Sequence, residues 1–152
     1  NLNSPDANGR TPLLWAAWRG DATSVNLLLK YGANIDKADL EGFTPLARAS
    51  QGGHLSAVQI LLQGKALIDN KTSWGHEPIH LATENKVHGH EIICELLEWG
   101  ANPNAFSIGS GTPLHHAVAN NSPIQTLKLL VDHGTDVDTI GENGDTAVMA
   151  AL

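Results

Sequence analysis

Eight histidines, a single cysteine and several closely spaced carboxylates are the side chains in this sequence able to do chemistry. His88-Gly89-His90 sets two imidazoles two residues apart, with Cys94 close behind. Zinc needs three or four converging ligands. That set is incomplete and its spacing is odd, so no metal is expected. His76, Glu84 and His116 make a second candidate set. They would form an enzymatic or small-molecule site only by converging on one pocket of at least a few hundred Å³. Asn34/Asp36 and Asp136/Asp138 suit calcium binding or acid–base work if each pair is taken alone. A catalytic cysteine needs a positioned base and a pocket, and nothing in the sequence promises either for Cys94. There is no glycine-rich phosphate loop, and no Ser-His-Asp set can be picked out. The expectation is a chain that is not an enzyme and carries no cofactor.

The elements that must position these residues repeat. Thr11-Pro12-Leu13 returns as Thr44-Pro45-Leu46, Glu77-Pro78-Ile79, Thr112-Pro113-Leu114 and Thr146-Ala147-Val148, at steps of 33, 33, 35 and 34 residues. A second marker runs in the same phase: Gly32-Ala33-Asn34, Lys65-Ala66-Leu67, Gly100-Ala101-Asn102 and Gly134-Thr135-Asp136. The paired acids and amides therefore recur with the repeat, which predicts that they bond turn backbone as short Asx side chains do.

Two markers in fixed phase resemble the ankyrin repeat, a turn and two antiparallel helices per unit with a T-P-L-H-x-A signature. The resemblance covers essentially the whole chain. It implies an all-α solenoid of stacked helix-turn-helix units with short β-hairpin tips. The units fall near 6–38, 39–71, 72–106 and 107–140, with a partial unit at 141–152 and the tail of another at 1–5. His80 and His115 hold the signature histidine, whose ring the family uses to bond loop backbone; Leu14 and Ala47 depart from it.

Local physics supports the same division. Thr with Pro next to it caps and starts a helix. Small residues such as Ala16-Ala17 and Ala49-Ser50 let first helices approach closely. Val25, Leu28 and Leu29, like Val58, Leu61 and Leu62, form an apolar stripe at helical spacing. Gly32, Gly100 and Gly134 stop the second helices in left-handed geometry. Lys65 replaces that glycine, so a strained left-handed residue or a different helix end is expected. Glu77 replaces a capping Thr, which predicts a less well capped helix. Extra residues near 85–90 and 121–123 should lie between helices.

The phase also identifies side chains free of core duty, at the hairpin tips and the ends of the first helices. These are Asn8, Arg10, Trp18 and Arg19; Leu40, Glu41, Phe43 and Gln51; Trp74, His76, Glu84 and Asn85; then Phe106, Ile108, Asn120, Ile140 and Asp145. Aromatic residues and Arg carry most of the energy at protein interfaces. Arg10, Trp18, Arg19, Leu40, Phe43, Trp74, His76, Glu84, Phe106 and Ile108 are the expected partner-binding set, an exposed row along a concave groove. Trp15 is expected in the core, and Cys94 on an outward face.

Bulk properties narrow the partner. A net charge of −7 with no basic run is a poor match for nucleic acid. No apolar run nears the length of a membrane span, and no secretory signal is visible. One cysteine favours a reducing, intracellular and cytoplasmic setting. The partner is expected to be a protein, or another domain of the same polypeptide. Both ends fall mid-unit without a polar outer face, which suggests a segment of a longer array with a structural or sensor role as the alternative function.

Overall fold

The computed structural model describes residues 1–141, 143–147 and 149. Eight helices occur among them: α1 (Pro12–Arg19), α2 (Ala22–Lys30), α3 (Pro45–Gly52), α4 (Leu55–Gln63), α5 (Pro78–Ala82), α6 (Gly89–Glu98), α7 (Pro113–Ala119) and α8 (Ile124–Asp132). The odd helices stack on one another as an inner layer, the even helices as an outer layer, and each odd helix packs on the even helix that follows it. One core runs the length of the stack between the layers, built from Leu13, Val25, Leu46, Leu61, Ile79, Ile92, Leu96, Leu114 and Leu130 among others. Alanines 17, 49, 82 and 117 are fully buried in the inner layer, where a larger side chain would hold the helices apart.

The inner helices begin as their sequence dictates. Thr11 Oγ1 accepts from Leu14 N–H at 3.3 Å and Thr44 Oγ1 from Ala47 N–H at 3.2 Å. Glu77 does not weaken its helix as expected. A capping box forms there, with Glu77 N–H donating to His80 Nδ1 at 3.2 Å. In that box the Glu77 carboxylate faces the backbone N–H that a Thr hydroxyl would cap, and the His80 ring holds the Glu77 N–H. The fifth Thr-Pro-Leu equivalent, Thr146-Ala147-Val148, is only partly within the described residues.

Gly32, Gly100 and Gly134 end the outer helices at φ of 85°, 94° and 87°. Lys65 takes the same left-handed conformation at φ 65°, a position that costs a residue with a Cβ roughly 1 kcal/mol. Lys65→Gly is therefore expected to stabilise the chain by about 0.5–1 kcal/mol, read as a higher midpoint in urea. An unchanged or lower midpoint would show that the Lys65 stem contributes packing that outweighs its strain. The extra residues at 85–88 and 121–123 lie between helices.

The hairpin tips are wide turns rather than paired strands. Among the described residues the strand-like pairings are two isolated bridges, Ser107 with Gly111 and Ile140 with Thr146. In the first two tips two backbone bonds close each turn: Asp6 N–H to Arg10 C=O and Gly9 N–H to Asp6 C=O, then Asp39 N–H to Phe43 C=O and Gly42 N–H to Asp39 C=O, all 3.0 Å. Asp6 and Asp39 reinforce them by accepting two backbone N–H bonds each. The periodic Asx side chains bond backbone too, and they tie units together. Asn34 accepts from Asp36 N–H at 3.1 Å, while Asp36 accepts from Leu67 N–H one unit on at 2.9 Å.

Candidate functional site

The turns and the inner helices present their free side chains on one face. Arg10 leaves the first tip and lays its guanidinium over two indoles of α1, 5.1 Å from the centroid of Trp15 and 5.0 Å from that of Trp18. The indoles stack at 5.2 Å, and Trp15 Nε1–H donates to Asp6 Oδ2 at 3.0 Å. Trp15 is 38% exposed. The expected core position is thus wrong: Trp15 lies on the face, stacked on Trp18 and beneath the Arg10 guanidinium.

Arg48 of α3 continues the row. Its guanidinium lies 4.9 Å from the Trp18 ring centroid and 3.5 Å from that of Phe43. Its Nη2 donates to Asp39 at 2.8 Å and to Glu41 at 2.9 Å. Phe43 meets Trp74 edge-on at 5.9 Å. A continuous ladder results across three units, in which Trp15, Arg10, Trp18, Arg48 and Phe43 alternate rings and cations and Trp74 closes the row on the Phe43 ring. Cation–π contacts of this kind hold long side chains in fixed positions.

Phe43 departs from expectation. It is 5% exposed, packed with Ala47 and Leu81 beneath the Arg48 guanidinium. It supports the face from below instead of presenting a ring to a partner. Trp18, Trp74 and Phe106 are exposed, as are Leu40 and Ile108 at the outermost tips. Arg19 is exposed, and Arg10, His76 and Glu84 are half-buried. Arg48 was not among the expected residues. The sequence carries a signal for it: its position in the repeat holds Trp15, Arg48, Leu81 and His116, four dissimilar residues, where a pure core position would hold similar ones.

His76, His80 and His116 cluster further along, with ring centroids 4.8 to 6.1 Å apart. His80 Nδ1 accepts from Glu77 N–H, so the proton sits on Nε2, which donates to the Gly111 carbonyl at 3.3 Å. His115 Nε2 likewise lies 3.3 Å from the Asp145 carbonyl. Thr83 donates its hydroxyl to the His80 carbonyl at 2.6 Å. His116 Nδ1 lies 2.8 Å from that hydroxyl oxygen, 3.0 Å from the same carbonyl and 3.2 Å from Asn120 Nδ2. Burial pushes the His80 pKa down to about 4, with the neighbouring His116 adding to the effect. Burial also lowers His76 and His116, and the Glu84 carboxylate works against it at both.

These groups fill an interface between units rather than a pocket. The cleft that reaches His116 holds about 170 Å³ and is lined by His115, Gly109 and Ser110, not by His76 or Glu84. Ligand pockets usually exceed ~300 Å³. Glu84 is engaged by Gln51 Nε2 at 3.0 Å. Among the described residues no three His, Cys, Asp or Glu side chains could together hold a metal ion. Cys94 is half-buried, and its thiol lies 3.7 Å from Glu98 Oε1 in an open surface cleft. Burial and then Glu98 raise its pKa, opposite to what an activated thiol needs.

Comparison with known proteins decides the family. Residues 24–107 match the family described as ankyrin repeats (3 copies), and residues 111–142 match the ankyrin repeat singly. The chain belongs to the ankyrin-repeat family. Ankyrin repeats generally mediate protein–protein interaction and are typically non-catalytic modules. This ankyrin-repeat chain is 42% identical over 76 residues to the human transient receptor potential cation channel subfamily A member 1, across 49% of the chain and 6% of the channel protein. It is 57% identical over 35 residues to a probable palmitoyltransferase AKR2 of Saccharomyces uvarum, across 23% of the chain and 5% of that protein. A putative E3 ubiquitin-protein ligase XBAT34 of Arabidopsis thaliana shares 39% over 64 residues, 41% of the chain and 17% of the ligase. The chain thus spans a small fraction of the length of these relatives. Among the described residues no helix is long and apolar enough to cross a membrane.

Proposed function

We propose that this array binds a protein partner on the face built by its turns and inner helices, with Trp18 and Trp74 as the anchors. The observation that carries the reading is the alternating ladder from Trp15 to Trp74. It holds two indoles, 36% and 53% exposed, in place before any partner arrives, which spares the ordering cost that binding otherwise incurs. Leu40, Phe106 and Ile108 extend the apolar surface along the tips, and an exposed apolar row of this kind marks an interaction site. Arg10, Arg19, His76 and Glu84 supply polar contacts at its edges. Net charge −7 supports a protein rather than a nucleic-acid partner. Its single cysteine suits an intracellular module.

Trp18→Ala combined with Trp74→Ala tests the assignment. Hot-spot aromatics contribute ~2 kcal/mol or more each, so affinity for a captured partner is expected to fall about thirtyfold for either single change and about a thousandfold for the pair if the two effects add. Unchanged affinity, with the helical circular dichroism intact, would remove the face from consideration. The short coverage of its relatives favours one other reading: a structural segment in a larger polypeptide, whose partner is a neighbouring domain of the same chain.

A further inference from the structure

Among the described residues no carboxylate forms an ion pair with the cation at the Trp15–Trp18 end of the face, Arg10. Arg10 and Arg48 are both stacked on indole rings, yet their surroundings differ. Arg48 gives its Nη2 to two carboxylates, Asp39 and Glu41. Among the described residues the Arg10 guanidinium makes no hydrogen bond and no ion pair within 4.0 Å; its Nε, like that of Arg48, is buried without a partner. The nearest acid, Asp6, is already engaged. Its Oδ1 accepts from Asn8 and Arg10 backbone N–H groups and its Oδ2 from the Trp15 indole.

Arg10 is also held by geometry. Two ring faces at 5.0 and 5.1 Å fix the plane of a guanidinium that presents a fork of donors. Arg19, exposed at the end of α1, adds a second positive charge on the same helix as the two indoles. In a chain of net charge −7, a fixed and unpaired fork beside two exposed indoles is a local inversion of sign. Resting on the reading of this face as a protein-binding surface, we propose that Arg10 receives a carboxylate of the partner. The occupant is a peptide segment with an Asp or Glu next to a large apolar side chain. The acid lies across the Arg10 fork and the apolar group lies on Trp18.

Charge-assisted, two-pronged bonds to a desolvated guanidinium are about twice as strong as neutral ones. The test uses short synthetic peptide libraries, random except for a central Glu, Gln, Lys or phosphoserine, passed over the immobilised chain. The Glu library is expected to be retained about tenfold better than the Gln library, with large apolar residues enriched beside the acid. Arg10→Gln should erase the preference for Glu over Gln while keeping the apolar enrichment. Arg10→Lys should leave a reduced preference, since it keeps the charge and loses the fork. Thermal unfolding of each variant checks that the array is intact, and the Lys variant carries the test should the Gln variant unfold. Equal retention of Glu and Gln libraries, or a preference that survives Arg10→Gln, overturns the proposal. So does retention of the phosphoserine library without the Glu library. Apolar enrichment without an acid, lost in Trp18→Ala, would overturn the carboxylate while sustaining the binding face. No enrichment in any library would remove both.

Discussion

Arg48→Met is expected to destabilise the array by about 3 kcal/mol, lowering the urea midpoint without changing the slope. The Asp39 side chain is 2% exposed and Arg48 is 9% exposed, so the pair is effectively out of water. Methionine fills the volume but leaves the Asp39 carboxylate buried without its counter-charge. Two backbone N–H bonds to Asp39 Oδ1 remain, which keeps the cost near the lower end for a broken buried pair. The stacking on Phe43 and Trp18 disappears as well, so Trp18 loses the contact that fixes it from the α3 side. Adding Asp39→Asn removes the orphaned charge while keeping the turn bonds. The double variant should therefore be more stable than Arg48→Met alone. If it is less stable, the damage lies in lost packing and the ion pair is a minor contributor.

The second large effect is a dependence on acid at the joint between the third and fourth units. His80 titrates at about 4 in the folded chain against an ordinary 6.5. The unfolded chain then binds more protons than the folded chain between those values. The stability held by the neutral ring is complete above pH 6.5 and is lost as pH falls toward 4. A shift of that size corresponds to about 3 kcal/mol, of which roughly 2 kcal/mol is gone by pH 5. His76 and His116 shift in the same direction. Glu77, whose carboxyl is raised by burial, acts in the opposite sense at the lower end of the range. Urea unfolding at pH 7 and pH 5 should show the fall, and a His80→Gln variant should show a shallower dependence. Equal stability at the two pH values would mean that the ring finds a solvated, protonated arrangement.

Much of this fold was legible because each unit repeats the same local instructions. The Thr-Pro starts, the left-handed glycines and the apolar stripe of the outer helices act within a few residues, and repetition distinguishes them from chance. The periodic Asx pairs and the bonds of His80 and His115 to loop backbone were legible for the same reason. Arg48, Phe43 and Trp15 were not, because their environment is made by turn side chains folded back over the inner helix and, for Arg48 and Phe43, also by the neighbouring unit. Phe43 sits at a tip position, but the guanidinium of Arg48 closes over it from above and Leu81 of the next unit meets it from the side. Trp15 looked like core because it precedes two small residues, yet the Asp6 carboxylate and the Arg10 guanidinium of its own turn hold the indole on the face. Arg48 reads as an intruder in an inner helix until the acids of the preceding turn are brought over it.

Those between-unit contacts limit how freely such units can be recombined. Thr83 finds His116 in the unit after it. The equivalent of Thr83 one unit earlier is Ser50, which is followed by Leu81 where His116 would stand, and its hydroxyl is buried without a partner. The serine therefore matches the fourth unit better than the third, which actually succeeds it. In the other direction, a copy of the fourth unit set behind the first would bring His116 against Ala17, which offers no hydroxyl. Each joint thus carries its own key, and the order of units is written into a few polar atoms even though the apolar stripe alone would accept almost any order.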